Sequence, residues 1–407
     1  MRKLSAIFTG GNLLEYSNIA LDCYTTRPME ATTLVPAEKQ RYQKHLNLPE
    51  IGQQGQLRLK NARVLVVGAG GLGCPVLLYL TAAGVGTIGV IDPDVVDLSN
   101  LQRQVIYTTD EVGQPKAKAA ITHLNRLNPG LTFDTYTMAL ETGNARAIIN
   151  AYDIVVDCTD NFKVRYLVND VCVTLGKPFV YGAIHRFEGQ VAVLNANLGD
   201  GGKGPTYRCL FPEYPNDIEI PNCNDTGVLG VLPGVIGTYQ ANEVIKLITG
   251  IGQSLSEHLL MVDLLAMSQQ KIKTKRRPDA EDLARQGLAS AGMRPVVTTS
   301  GPQKMSTQEL ASRLAAGEDL FLLDVRERPE YDLCHLEGAV LIPVGMIPNN
   351  RKRIPTDRPV VVYCHHGIRS ANVAEYLYAQ GGLTNLYNLD GGINAWARDV
   401  EPEMVVY

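Results

Sequence analysis

The sequence predicts an α/β protein with two cores: a larger domain on a mostly parallel sheet, then a smaller α/β domain. Three observations carry this. From Arg41 to about Gly250 short β-branched runs alternate with helical stretches; a glycine loop separates the first of these runs from a helix; and the same rhythm restarts beyond Ser306. With 407 residues, 45% hydrophobic and 20% charged, the chain has enough apolar matter for at least two domains.

Taken in order, residues 1–35 read as an N-terminal extension. MRKLSAIFTGGNLL has a basic start and a weakly apolar stretch, but Asn12 and Glu15 follow quickly and no A-x-A cleavage pattern appears, so it is not read as a signal peptide. Met29 opens the polar run MEATTLVPAEKQRY and is an alternative translation start. Residues 36–275 form the first domain. Its strand runs are ARVLVV, TIGVID, DIVVDC, PFVYGA and QVAVLN, and PKAKAAITHLNRLN is a helix. Between Asn197 and Thr226 the chain is dense in Gly, Pro, Asn and Asp, as in a long functional loop. LPGVIGTYQANEVIKLITG then places Pro233 near a helix start and Gly250 just past its end. Residues 276–303 are charged, with little strand pattern, and read as a linker or a solvated helix. Residues 304–407 form the second domain, with helices in TQELASRLAAG and SANVAEYLYAQG and strands in LFLLDVR, AVLIPV and PVVVYC.

Composition excludes several function classes. With 38 basic against 42 acidic residues, the chain has no bulk positive field for nucleic acid. The stretch from Val64 to Ile91 lacks charge and is long enough to span a bilayer, but seven of its residues are glycine, clustered in GAGGLG and AGVG. Two buried strands around a helix account for it better, so no membrane association is expected. Eight cysteines with no C-x-x-C pair suit a reducing compartment, and the cytoplasm is the expected location.

Gly68, Gly70, Gly71 and Gly73 follow a strand and open a helix at Pro75, and Asp92 ends the next strand 19 residues past Gly73. This is the Rossmann-like dinucleotide fingerprint. Glycines let backbone approach phosphate, helix amides meet its charge, and an acidic residue accepts ribose hydroxyls. The residues beyond Asp92 favour ATP over NAD: SNLQRQ (Ser99 to Gln104) and then Lys116. Attack at an α-phosphorus releases pyrophosphate with added charge, which Arg103 and Lys116 can meet. One cation at about 4 Å is worth roughly 4 kcal/mol at an effective dielectric of about 20, before desolvation. In DCTDN, Asp157 and Asp160 are each able to hold Mg²⁺ at the phosphates.

These residues, with RYQKHLNLPEIG, FEGQ and PNCNDTGVLGVLPG, resemble the ubiquitin-activating-enzyme-like superfamily, and within it the MoeB/ThiF adenylyltransferases, over about Gln40 to Lys271. The resemblance implies that 36–275 is an adenylation domain binding ATP at Gly71, Asp92, Ser99, Asn100, Arg103, Lys116, Asp160 and Asn161. It assigns the magnesium to Asp160 in preference to Asp157. It implies a ubiquitin-like sulfur-carrier protein as partner, whose C-terminal Gly-Gly carboxylate attacks the α-phosphate to give an acyl-adenylate. It also implies a homodimer in which a basic residue of RYQKH reaches the neighbour's nucleotide. Lys44 stands where many relatives have Arg, supplying charge without the planar fork. Many relatives carry zinc on two C-x-x-C pairs. Here Thr206-Tyr207-Arg208-Cys209 and Ala280-Glu281-Asp282-Leu283 occupy those places, leaving one thiolate, so no structural zinc is expected.

Cys364-His365-His366-Gly367-Ile368-Arg369-Ser370 follows a strand and precedes a helix, where amides can stabilise an anion on sulfur. A free thiol is only about 3% thiolate at pH 7, and bringing its pKa down to about 7 makes half of it reactive. Arg369 adds positive charge. Cysteine phosphatases place five residues between Cys and Arg; here there are four, which suits a sulfane sulfur better than phosphate. With LLDVRERPEYDLCHLEGAVLIP and NLDGGINAW, residues from about Ser306 to Met404 resemble a rhodanese domain. Asp324 and Arg326 are then structural partners of the loop, and His365 and His366 are expected to point outward. Cys223, on the long loop, is a second candidate nucleophile, which in rhodanese-fused relatives can link covalently to the carrier. Cys74, Cys158 and Cys172 fall in apolar patterns and are read as core.

The combined expectation is ATP-dependent adenylation of a carrier, attack by a Cys364 persulfide and release of a thiocarboxylate, in molybdenum-cofactor biosynthesis. The sulfur would come from a donor such as a cysteine desulfurase or thiosulfate. Carriers for thiamine, cysteine or tRNA thiolation would undergo the same chemistry. An NAD-dependent oxidoreductase and a silent scaffold binding a ubiquitin-like partner are the readings of other classes.

Overall fold

The protein is described by a computed structural model at residues 31–199, 201–212, 214, 227–293 and 301–405. It divides into two compact units, whose described residues are 31–199, 201–212 and 228–291 in the first, and 214, 227, 292–293 and 301–405 in the second.

The first unit is built on strands β1 (Arg63–Val67), β2 (Thr87–Ile91), β3 (Thr132–Tyr136), β4 (Ile154–Asp157), β5 (Phe179–His185), β6 (Glu188–Leu194), β7 (His258–Asp263) and β8 (Ser268–Lys273). Their spatial order is β3-β2-β1-β4-β5-β6-β7-β8. The first five are parallel and the last three add antiparallel. β2 and β4 are buried throughout, as a sheet covered by helices on both faces requires. The order reverses between β1 and β4, so their carboxyl ends open a crevice at a switch point. The glycine loop leaves β1 there and the Asp157–Asn161 turn leaves β4.

Helix Val231–Thr249 ends on Gly250 in the left-handed region, as its sequence predicts. Strands β3, β7 and β8 were not foreseen. β8 is exposed along its whole length, so burial leaves no alternation for a sequence reader to find. The first half of the expected linker is also ordered. Residues 280–293 form a helix whose Ala280 and Ala284 are fully buried, and the Arg276 guanidinium ahead of it donates to the Gly204 carbonyl at 2.6 Å. Through Ala291 this helix belongs to the first unit, its buried alanines giving it a face to pack.

The second unit holds β9 (Gln303–Met305), β10 (Phe321–Asp324), β11 (Val340–Leu341), β12 (Val360–Tyr363) and β13 (Leu386–Leu389), all parallel in the order β11-β10-β12-β13-β9. Its core packs Leu323, Val360, Val362 and Leu377 on one side of the sheet and Val361, Leu389 and Trp396 on the other. Cys364 leaves the carboxyl end of the central strand β12. Among the described residues no helix is long and apolar enough to cross a membrane.

Candidate functional site

In the first unit the glycine loop connects β1 to helix Gly73–Ala83. Gly68 has φ +95, and a Cβ there would stand 2.8 Å from the Cys158 carbonyl oxygen. A Cβ at Gly73 would lie 2.1 Å from the Gly68 carbonyl oxygen, so only glycine lets the helix start so close to the strand. Between them, the amides of Gly70, Gly71 and Leu72 donate to no group among the described residues.

The residues expected around a nucleotide gather on this loop. Asp92 is buried at the end of β2, where its carboxylate accepts from the Ala69 amide at 2.7 Å and the Asp94 amide at 2.8 Å. Burial pushes its pKa up, while the Lys116 charge and the two amides oppose that rise. Lys116 opens helix Lys116–Leu127, and its ammonium lies 3.0 Å from Asp94. The Tyr107 hydroxyl donates to the Ala69 carbonyl at 2.8 Å and the Lys116 carbonyl at 3.2 Å, tying cation to loop. Ser99 and Asn100 sit in the short 3₁₀ turn Leu98–Asn100, whose Ser99 amide donates to Asp97, and Arg103 reaches back to the Ser99 carbonyl at 3.2 Å.

Beyond β4 the structure separates two carboxylates that residue chemistry alone left equivalent. Asp157 is fully buried, accepts from Arg165 at 3.0 Å and from Thr159, and is spent on that network. Asp160 is exposed and open to solvent ions. Asn161 caps helix Phe162–Leu175: its side-chain oxygen accepts from the Lys163 and Val164 amides. Its expected contact with nucleotide therefore falls to the side-chain amino group. Lys44 is exposed on helix Gln43–Leu46.

At the first of the two places compared above with zinc-binding cysteine pairs, the Cys209 sulfur accepts from the amides of Thr206 and Arg277, each at 3.3 Å. Arg208 pairs with buried Asp170 at 2.7 Å beside it, through two parallel hydrogen bonds. This donor set does not fit a tetrahedral thiolate site, and among the described residues no three His, Cys, Asp or Glu side chains cluster as metal ligands. Cys223 lies outside the described residues, as does Cys23.

In the second unit the buried Cys364 sulfur accepts from the Gly367 amide at 3.1 Å and faces the Ser370 hydroxyl at 3.4 Å. Gly367 has φ +88 and caps helix Ile368–Gly381. The loop's carbonyls are held from outside it. Ile393 donates to Cys364 at 2.9 Å, Asn394 to His365 at 3.0 Å, and the Asn388 side chain to Gly367 at 3.0 Å. A Cβ at Gly392 would come within 2.4 Å of the Cys364 carbonyl oxygen, which explains the paired glycines of NLDGGINAW. With these carbonyls held, the Gly367 amide and the Ser370 hydroxyl are the donors aimed at the sulfur, the start of an anion cradle.

Three expectations are refined here. Arg369 does not stand over the sulfur as a lone charge: Glu330 binds it through two hydrogen bonds of 2.9 and 2.7 Å. Only His366 is exposed; His365 is half-buried with its Nε2 shielded, the two rings stack at 3.9 Å, and burial pushes the His365 pKa down to about 4. Ile368 is exposed beside them. Asp324 and Arg326 form a fully buried pair at 2.6 Å; the Arg326 guanidinium lies over the Tyr363 ring and donates to the Cys334 carbonyl, so it braces the strand that delivers Cys364. Sequence reasoning missed Glu330, Asn388, Tyr107 and Gln104. The acidic Glu330, within RERPEYD ahead of the cysteine loop, was the one visible signal.

The ThiF family model matches residues 42–283 and the rhodanese-like domain model residues 306–399. The chain is 42% identical over 383 residues to a "Probable adenylyltransferase/sulfurtransferase MoeZ" of Mycobacterium tuberculosis, spanning 93% of this chain and 97% of that protein. It is 52% identical over 241 residues to a "Sulfur carrier protein adenylyltransferase" of Thermus thermophilus, covering 59% of this chain and 89% of the relative. It is 37% identical over 422 residues to "Adenylyltransferase and sulfurtransferase MOCS3" of Arabidopsis thaliana, covering 95% and 89%. Among solved structures, E. coli MccB with MccA-N7isoASN superposes with a TM-score of 0.51 at 22% identity, over 58% of this chain and 72% of that one, a likeness of fold.

Proposed function

The chain belongs to the ThiF family and carries a rhodanese-like domain, an adenylyltransferase and sulfurtransferase in one polypeptide, and from that footing we propose its reaction sequence. The terminal carboxylate of a Gly-Gly-tailed sulfur carrier attacks the α-phosphorus of ATP. The bond to the bridging oxygen breaks, pyrophosphate leaves, and an acyl-adenylate remains. The outer sulfur of a Cys364 persulfide then attacks the acyl carbon and AMP leaves, giving an acyl disulfide. A thiolate, which we assign to Cys223, attacks the Cys364 sulfur and expels the thiocarboxylate. The resulting disulfide is reopened by a dithiol reductant.

The unspent amides of Gly70, Gly71 and Leu72 beside two cations carry this reading. Gly68 and Gly73 shape the loop, its amides receive phosphate oxygens, and Asp92 accepts ribose hydroxyls. Arg103 and Lys116 meet the charge that grows on the leaving pyrophosphate, with Ser99, Asn100 and Asn161 around the nucleotide. Asp160 would hold Mg²⁺, which when bound shares that charge with them. NAD needs no such cations, which disfavours an oxidoreductase. On the sulfur side, Gly367 and Ser370 donate to the anion on Cys364, and Arg369 with Glu330 holds the loop.

We assign the carrier to the molybdopterin-synthase type, the donor to a desulfurase persulfide or thiosulfate, and the assembly to a cytoplasmic homodimer in which Lys44 serves the neighbouring nucleotide. Carrier-dependent ATP–pyrophosphate exchange, followed by mass spectrometry of the carrier after incubation with ATP and thiosulfate, tests the scheme. One sulfur in place of one oxygen is the expected product. Cys364→Ser should abolish that product and leave exchange intact. Exchange lost in a well-folded Cys364→Ser protein, or absent with every Gly-Gly-tailed carrier, overturns it.

A further inference from the structure

One polar atom beside the glycine loop is unaccounted for by this scheme. Gln104 is only 4% exposed, and its side-chain oxygen Oε1 is buried with no hydrogen-bond partner. A buried amide oxygen left unpaired costs about 1–3 kcal/mol, so its retention calls for a ligand donor.

A chain of hydrogen bonds fixes which end of the amide is presented. Asp97, a carboxylate that can only accept, takes the Ser99 hydroxyl proton at 2.5 Å. The Ser99 oxygen accepts from Asn100 Nδ2 at 3.2 Å, and Asn100 Oδ1 accepts from Gln104 Nε2 at 3.1 Å. Each donor in the relay is committed by the one before it, leaving Oε1 as the terminal acceptor. The amide sits against the phosphate loop: a Cβ built on Gly70 would be 3.5 Å from Gln104 Nε2.

Phosphate oxygens carry no proton to give this atom at neutral pH. Ribose hydroxyls have Asp92, placed one residue earlier on the loop at Ala69. The adenine amino group lies at the far side of the ribose from the phosphates, and the ribose is placed by Asp92 at Ala69 rather than at Gly70; the donor nearest the α-phosphorus is then the peptide N–H of the carrier's terminal glycine. It lies two bonds from the carboxyl carbon, so a carboxylate poised on the α-phosphorus brings it to the edge of this loop. We propose that Gln104 Oε1 receives the terminal peptide N–H of the carrier tail and positions its carboxylate for attack, making Gln104 a specificity-determining residue for a peptide tail with an unsubstituted final amide. This rests on the carrier reading above.

The test uses the full-length enzyme and a semisynthetic ubiquitin-fold carrier from the same organism, ending either in Gly-Gly or in Gly-sarcosine, whose last amide has no N–H. In wild type, sarcosine should raise the carrier KM for exchange by about tenfold, as loss of one buried hydrogen bond allows. Gln104→Met should raise KM for the Gly-Gly carrier by about as much, leave the ATP dissociation constant within about twofold, and show no further loss with sarcosine. If Gln104→Met fails to fold, Gln104→Leu is read in the same way. Multiplying losses, an ATP affinity that falls in step with the carrier's, or an unchanged KM would overturn the assignment. No exchange by wild type with the Gly-Gly carrier would instead overturn the carrier reading itself.

Discussion

Replacing Lys116 with methionine keeps the length of the side chain and removes its charge. The ammonium is held at 3.0 Å from Asp94, with 7% of the side chain exposed against 65% for Asp94. At about 4 Å from a developing phosphate charge, a cation contributes roughly 4 kcal/mol at an effective dielectric of about 20. Asp94 and nearby water already screen part of that, leaving about 2–3 kcal/mol, which is about 30- to 150-fold in rate. The fold should lose little, about 1 kcal/mol or less, because Asp94 rehydrates where it stands. Initial rates of carrier-dependent ATP–pyrophosphate exchange, with a melting curve on the same preparation, separate the two effects. A Lys116→Met enzyme that melts normally and exchanges within about threefold of wild type would refute the claim that this cation meets the leaving-group charge.

Glu330→Gln weakens both hydrogen bonds to Arg369 at a site where each side chain is mostly buried, so the second unit should lose about 1–2 kcal/mol. Trp396, the one tryptophan of the chain, lies in that unit and reports its urea transition by fluorescence; an unmoved midpoint would count against the pair. His365 is held neutral by burial, with its pKa lowered from 6.5 to about 4, so the unfolded chain binds the extra proton first. Its contribution to stability is complete above about pH 6.5 and is lost as pH falls toward 4; the Trp396 midpoint should drop between pH 7 and 5 in wild type and drop less in His365→Asn. Because Cys209 takes amide donors and has no companion thiolates among the described residues, dialysis against a strong chelator should leave the melting temperature unchanged and metal analysis should find no stoichiometric zinc.

Much of this protein was legible without coordinates because its signals are local. A β-branched run such as RVLVV, a glycine required at positive φ as at Gly68 and Gly367, and a helix closed by Gly250 are each set by a few neighbouring residues. The glycine loop and the Cys364 loop were therefore recognisable with their chemistry. Strand β8 was not, since SQQKIK is exposed and its pairing with β7 is decided by the sheet edge it meets. For residues 280–293 the sequence left a linker and a solvated helix as alternatives; a helix forms, and its burial was not legible, because its small apolar stripe acquires meaning only when a surface is present to cover it.

Partner choice lay beyond the sequence for the same reason. Asp157 and Asp160 differ because one is buried against Arg165 and the other is not. Arg369 is matched by Glu330, 39 residues upstream. The Gln104 amide is oriented by a relay that begins on Asp97 and ends at Gly70. Residue types, spacings and backbone demands are properties of the chain, and they sufficed to name the family and its two chemistries. Which charge is compensated, which carboxylate stays in water and which buried polar atom is left unpaired depend on desolvation and on distances between remote segments, and those quantities come into existence only on folding.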